Sequence, residues 1–95
     1  MLDYSFSNKF KKDLKRLKDR GVDTSEVNIV IKKIVNKERL DRSYRNHVLE
    51  PRTQKPKRWE LHLGGVASDL IMIYFYREKN TVIFDRIGTH SDLFR

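Results

Sequence analysis

The sequence predicts an α+β fold in one domain over residues 1–95, with an N-terminal strand and two helices packed on an antiparallel sheet in the order β-α-α-β-β-β. Three observations carry this. Apolar residues recur at helical spacing between Phe10 and Val35, and the period falls to two from Arg58 onward. Between the two regimes lies a polar stretch that holds both prolines, Pro51 and Pro56. A chain of 95 residues buries roughly 60–65% of the surface its unfolded form exposes, enough for one core but not for a separate cofactor lobe.

At the start, Leu2, Tyr4 and Phe6 alternate with Asp3 and Ser5, the pattern of a short strand with one buried face. Ser7 is placed to cap a helix whose apolar positions are Phe10, Leu14 and Leu17, and Gly21 is its natural stop. Lys9, Lys11, Lys12, Lys15, Arg16, Lys18 and Arg20 crowd this helix, against only Asp13 and Asp19. A second helix opens at Asp23 or Thr24, with Ser25 and Glu26 in its first turn and Val27, Val30, Ile31, Ile34 and Val35 as its apolar side.

From Glu38 to Lys57 the periodicity is lost, and so long a connection in a compact domain reads as a functional loop. Trp59, Leu61 and Leu63 then alternate with Glu60 and His62 in a strand, and Gly64-Gly65 marks a turn or bulge. Asp69 opens the apolar run Leu70–Tyr76, the expected central strand covered on both faces. Glu78-Lys79-Asn80 forms a tight turn, and Thr81–Ile87 returns as the last strand. Phe10, Tyr74 and Phe84 are expected in the core and Trp59 half-buried.

Charge and composition narrow the function. Lys and Arg number 21 against 13 Asp and Glu, a net +8, which suits an acidic partner such as nucleic acid, an acidic protein or an anionic surface. The basic first helix reads either as the solvated face of an amphipathic helix or as a polyanion-binding surface. Absence of cysteine excludes disulfide scaffolds, thiolate zinc sites and thiol nucleophiles, and fits a reducing compartment. The N-terminus has neither the basic nor the apolar region of a signal peptide, and Leu70–Tyr76 is far short of the ~20 residues that span a bilayer. A cytoplasmic protein with no membrane partner is expected.

Phosphate-loop, dinucleotide-binding and nucleophile-elbow motifs are all missing. What remains is His47 in the polar loop, His62 on a strand and His90 after the last strand. If the strands pair in sequence, the ends that carry His62, Asp69 and His90 converge. Metal-free RNA cleavage needs a base for the 2′-hydroxyl proton, an acid for the departing 5′-oxygen and a cation for the charge on phosphate. Histidine and aspartate with arginine meet those needs. No His-x-His or His-x-x-x-His pair is present, so a metal-free site with no cofactor is preferred to a metal centre. Phe94 is either tucked into the core or offered to a base for stacking.

The segments Tyr44-Arg45-Asn46-His47-Val48-Leu49, Trp59-Glu60-Leu61-His62, Asp69-Leu70-Ile71-Met72-Ile73-Tyr74 and Arg86-Ile87-Gly88-Thr89-His90-Ser91-Asp92-Leu93-Phe94 together resemble the YafQ-type toxins of the RelE/ParE superfamily of bacterial type II toxin–antitoxin systems. The last segment is the most specific, and the resemblance runs through the whole chain in element order. It implies a RelE-like domain and a ribosome-dependent mRNA endonuclease that cuts within codons in the ribosomal A site and inhibits translation. The implied partners are mRNA, the ribosome with its rRNA, and a cognate antitoxin that holds the toxin inactive.

By the same resemblance His47, His62, Asp69 and His90 are the implied catalytic residues. Asp69 or His62 would take the 2′-hydroxyl proton and His90 would protonate the leaving oxygen. Arg86, Phe94, Lys57 and Arg58 are the expected substrate-binding residues, Arg86 at the phosphate and Phe94 with His47 positioning the nucleotide. The chain departs from the family in having Val48 after the loop histidine and Leu70 after Asp69. It also has a long connection, Leu63-Gly64-Gly65-Val66-Ala67-Ser68, which could move Asp69 relative to His62. A non-cutting inhibitor of DNA gyrase on the same fold, and an inactive antitoxin-binding homologue, are the other readings.

Overall fold

The computed structural model describes residues 1–51, 53, 55–63 and 69–94. The chain runs β1 (Asp3–Phe6), α1 (Asn8–Asp19), α2 (Ser25–Val35), a 3-10 turn (Arg42–Tyr44), β2 (His47–Val48), β3 (Arg58–His62), β4 (Leu70–Arg77), β5 (Thr81–Thr89) and α3 (His90–Leu93). All five strands form one sheet in the order β1-β5-β4-β3-β2, so the apolar run of β4 is central as expected. Among the described residues no helix is long and apolar enough to cross a membrane.

Three features depart from expectation. The sheet is mixed, because β1 lies parallel to β5 at one edge with Asp3 opposite Thr81 and Phe6 opposite Phe84. Its entry is tied at both sides: the Leu2 N–H donates to the Val35 carbonyl at the end of α2, and the Asp3 N–H to Asn80 in the β4–β5 turn. Second, the polar loop contains β2, which pairs antiparallel with β3, His47 opposite Glu60. Two residues are too few to leave a periodic signal, so this strand exists only through its partner. Third, the chain does not trail away after β5 but forms α3, with His90 as its first residue. The Gly64-Gly65 turn lies outside the described residues.

α1 begins where its chemistry says it should. The Ser7 Oγ accepts from the Phe10 N–H at 2.9 Å and donates to the Asp85 carbonyl at 2.6 Å, joining the helix start to β5. Ser7→Ala removes both bonds and is expected to cost about 1–2 kcal/mol, read from the midpoint of urea unfolding. The helix ends at Asp19 with Arg20 as its cap, and Gly21 follows at a φ of +77°, which glycine adopts without strain. Phe10 and Leu17 are buried while Leu14 is only half-buried, and the third buried position is Asp13 rather than an apolar residue. α2 starts at Ser25, whose N–H is held by Asp23 Oδ1 at 3.0 Å, and all five residues of its apolar side are buried.

The core lies between these helices and one face of the sheet, around Phe10, Leu17, Val30, Leu61, Leu63, Met72, Tyr74, Val82, Phe84 and Ile87. Phe6, Phe10 and Phe84 stack with ring centroids 5.3–6.2 Å apart. Trp59 is half-buried against this core. Tyr4, by contrast, is 51% exposed, so the first strand buries Leu2 and part of Phe6 but not the whole expected face. Strand alternation turns Glu60 and His62 away from the side that Leu61 and Leu63 face. On β5 the register slips beside Ile73 and Tyr74, which lie opposite Arg86 and Phe84, so Asp85 is the extra residue of a β-bulge.

Candidate active site

The sheet assembles the site on the face away from the core. Alternation in β3 sets Glu60 and His62 on that face, and the β2–β3 pairing brings His47 opposite Glu60. In the β3–β4 ladder His62 is opposite Ile71, which places Asp69, just before β4, at the same end of the sheet. β5 runs back along β4 to Thr89, with Leu70 opposite Thr89, and delivers His90 beside Asp69. α3 is short, yet its start is well made. The Thr89 Oγ1 accepts from the Asp92 N–H, the Asp92 carboxylate accepts from the Thr89 N–H, and Arg20, the residue after α1, donates to that same carboxylate at 2.9 Å.

Glu60 is the hub. Its carboxylate is buried, and one oxygen lies 3.1 Å from His90 Nε2 and 3.8 Å from His62 Nε2, the other 3.6 Å from His47 Nε2. His90 Nδ1 meets Asp69 Oδ1 at 2.5 Å, so both nitrogens of this ring face carboxylates. The Arg45 guanidinium donates to His62 Nδ1 at 3.2 Å. The rings form a continuous ladder, His47 on His62, His62 on His90 and His90 on Phe94, with neighbouring centroids 5.8 Å apart at each step.

This environment drives two adjacent histidines apart. Burial and the Arg45 charge push His62 below the ordinary histidine value, outweighing the opposing pull of Glu60. His90 is raised, chiefly by its hydrogen bond to Asp69 and then by the charges of Asp69 and Glu60, with burial opposing. Burial and Arg45 thus favour the neutral form of His62, and the two carboxylates favour the charged form of His90. Paired groups displaced in opposite directions are the arrangement that separates acid from base in a proton-transfer site.

The structure brings together all four expected catalytic residues, His47, His62, Asp69 and His90, with Phe94 stacked at the end of the ladder. Although the preceding connection is long, Asp69 reaches His90; most of that connection lies outside the described residues. Phe94 is not tucked into the core but 47% exposed.

The basic residues are placed differently. Arg86 forks onto the buried Asp13 of α1 through Nε at 2.7 Å and Nη2 at 3.1 Å, and the Ile87 N–H adds a third donor to that carboxylate. Arg58 is held by the Asp85 carboxylate and lies over the Phe75 ring, 4.8 Å from its centroid. Lys57 is exposed just before β3. Sequence reasoning missed Glu60 and Arg45. The signal for Glu60 was the Glu-x-His spacing, which sets both side chains on one face of a strand. Nothing local marked Arg45, whose role comes from a loop folding over β3.

The same face could hold a metal ion. His47, Glu60 and His62 each offer a ligand atom, and the three atoms lie within 4.8 Å of one another. Two imidazoles and a carboxylate form a nitrogen–oxygen donor set that suits zinc, copper or nickel. No close-set histidine pair in the sequence marks it, because one ligand comes from the neighbouring strand.

A family model described as a bacterial toxin of type II toxin–antitoxin system, YafQ, matches residues 2–95. Among solved structures, a metal-bound toxin from Helicobacter pylori is 33% identical with a TM-score of 0.85, over 99% of this chain and 100% of that one. A copper-bound mutant toxin from the same organism has the same values. The Escherichia coli DinJ–YafQ complex contains a chain 28% identical with a TM-score of 0.85, over the full length of both. No curated protein matches the chain. With a family match along nearly its whole length and relatives that share its entire fold, this chain belongs to the YafQ family of bacterial type II toxins.

Proposed function

We propose that this YafQ-family toxin is a ribosome-dependent endoribonuclease that cuts mRNA within codons in the ribosomal A site and so stops translation. The observation that carries the reading is His62 and His90 side by side around one buried carboxylate, Glu60, with their proton affinities displaced in opposite directions by their surroundings. Inhibition by binding alone, as at DNA gyrase, needs no such proton carriers.

In the reaction a base, Asp69, Glu60 or His62, takes the 2′-hydroxyl proton, and the 2′-oxygen forms a bond to phosphorus. The bond from phosphorus to the 5′-oxygen breaks as His90 gives that oxygen its proton. The products are a 2′,3′-cyclic phosphate and a 5′-hydroxyl end. Phe94 and His47, at the two ends of the ring ladder, flank the nucleotide. Lys57 and Arg58 supply positive charge to the phosphates, Arg58 after exchanging its present carboxylate partner, and Arg86 does so while still held by Asp13. The exposed cations of α1 serve rRNA, through contacts weakened by salt.

A cognate antitoxin is the protein partner, as DinJ is described in complex with YafQ. His47, Glu60 and His62 would hold a transition metal such as copper, as one Helicobacter pylori toxin is described as copper-bound and another as metal-bound. Such an ion supplies Lewis-acid charge and occupies nitrogens otherwise free for protons.

Primer extension on mRNA in a translating extract tests the proposal, comparing the wild type with Glu60→Gln. Ribosome-dependent cuts inside codons are expected for the wild type and their loss, by on the order of 10²-fold or more, for the variant. Growth arrest with intact mRNA and blocked gyrase would overturn the nuclease reading.

A further inference from the structure

We propose that, with no metal bound, Arg45 is a positioning residue that fixes the tautomer of His62, keeping the proton on Nε2 and leaving His62 a hydrogen-bond donor rather than a base. A guanidinium has five N–H donors and no acceptor, so a nitrogen that meets it at hydrogen-bond distance must offer a lone pair. The 3.2 Å contact from Arg45 Nη2 therefore assigns the lone pair to His62 Nδ1. In a neutral ring the proton then sits on Nε2, the nitrogen that faces Glu60 Oε1 across 3.8 Å. Here both sides agree, since a carboxylate oxygen favours an N–H and repels a lone pair.

The backbone is built to hold Arg45 there. Arg45 ends the 3-10 turn in the left-handed region, at φ 46° and ψ 50°, which costs a non-glycine residue free energy and turns the chain sharply. Its N–H donates to the Arg42 carbonyl at 3.0 Å. One residue on, Asn46 Oδ1 accepts from the hydroxyl of Tyr74, a core side chain only 1% exposed, at 2.7 Å. Residue 47 then enters β2 opposite Glu60. Arg45 is thus held between an anchor in the core and a strand of the site, and its guanidinium reaches over β3 to the ring behind His47.

The consequence rests on the nuclease reading. With Nδ1 occupied by Arg45 and Nε2 already protonated, His62 has no lone pair for the 2′-hydroxyl proton. The base is then Asp69 or Glu60, and the His62 Nε2–H is a donor for a phosphate oxygen. The tautomer itself is independent of any activity, which allows the two proposals to fail separately.

The test is two-bond ¹H–¹⁵N NMR of the full-length toxin, free of antitoxin and stripped of metal with a chelator, labelled with ¹⁵N-histidine, at a pH where His62 is neutral. Each imidazole then shows which of its nitrogens carries the proton. The wild type is expected to show His62 protonated on Nε2 alone. Arg45→Met, at an exposed position with the donors removed, should shift His62 towards a mixture that includes the Nδ1–H form. Arg45→Lys, which keeps a donor, should restore the Nε2–H form, a rescue that a purely structural role for the side chain would not require. A wild-type ring protonated on Nδ1, or an unchanged His62 pattern in a folded Arg45→Met chain, would overturn the proposal. Loss of tautomer control together with wild-type mRNA cleavage would leave the nuclease reading standing and return His62 to the candidate bases.

Discussion

His90→Ala is expected to slow codon-internal mRNA cleavage by about 10²–10⁴-fold, the usual contribution of a general acid. His90 is the group best placed for that work, because both of its nitrogens face carboxylates and its charged form is favoured. The alanine variant should keep its fold, since the side chain is 48% exposed. Persistent cleavage at the wild-type rate would remove His90 from the chemistry.

The sign of the pH dependence follows from the same contacts. An acid works only while protonated, so a raised value keeps His90 competent to higher pH than an ordinary histidine near 6.5. Asp69→Asn removes the largest cause, and an NMR titration of His90 should show its midpoint falling. An unmoved midpoint would discard Asp69 as the group that tunes the acid. In stability, the charged His90 contributes fully below about pH 6.5, and that contribution is lost as pH rises through the higher folded value. His62, depressed by burial and Arg45, has the opposite sign. Its contribution is present above about 6.5 and lost as pH falls through the lower folded value.

Asp13→Ala should be the most damaging change outside the site, costing about 3 kcal/mol. Removing one partner of a buried ion pair typically costs about 3–5 kcal/mol, because the other charge is left unpaired. The low end applies here, since the Arg86 side chain is 27% exposed and water can reach it once Asp13 is gone. The Ile87 N–H loses its acceptor as well, and a buried orphan donor adds about 1–3 kcal/mol within that total. Asp13→Asn retains an acceptor for Ile87 and should cost less. Urea unfolding of the two variants checks both the size and the order; a change below about 1 kcal/mol in Asp13→Ala would mean the pair is structurally idle. The residue matters for the site too, because Asp13 ties α1 to β5 three residues before His90.

Asp13 also shows how a sequence can hide its own structure. In a helix with six cations it reads as a counter-charge on a wet surface, yet it occupies the buried stripe between Phe10 and Leu17. Periodicity cannot separate a buried, satisfied carboxylate from an exposed one, because the difference lies in three donors supplied from β5. The loop around residues 42–48 was unreadable for a similar reason. Its 3-10 turn and two-residue strand owe their existence to Tyr74 and β3, not to local propensity. The terminal helix was equally silent, since four residues form one only when a cap and Arg20 hold them.

What the sequence by itself determined was the element order, the cap at Ser7, the stop at Gly21, the apolar sides of the helices and the central place of the Leu70–Tyr76 run. These depend on local spacing and on backbone preferences that travel with each residue. The tertiary structure alone decided that β1 joins the sheet in parallel, that Glu60 becomes the hub of three imidazoles, and that Arg45 reaches His62. Each of these depends on strand order and register, and pairing energies are shared between segments far apart in the chain. The histidines and Asp69 stood out singly in the sequence; the opposite displacement of His62 and His90 arises only when the sheet sets them side by side.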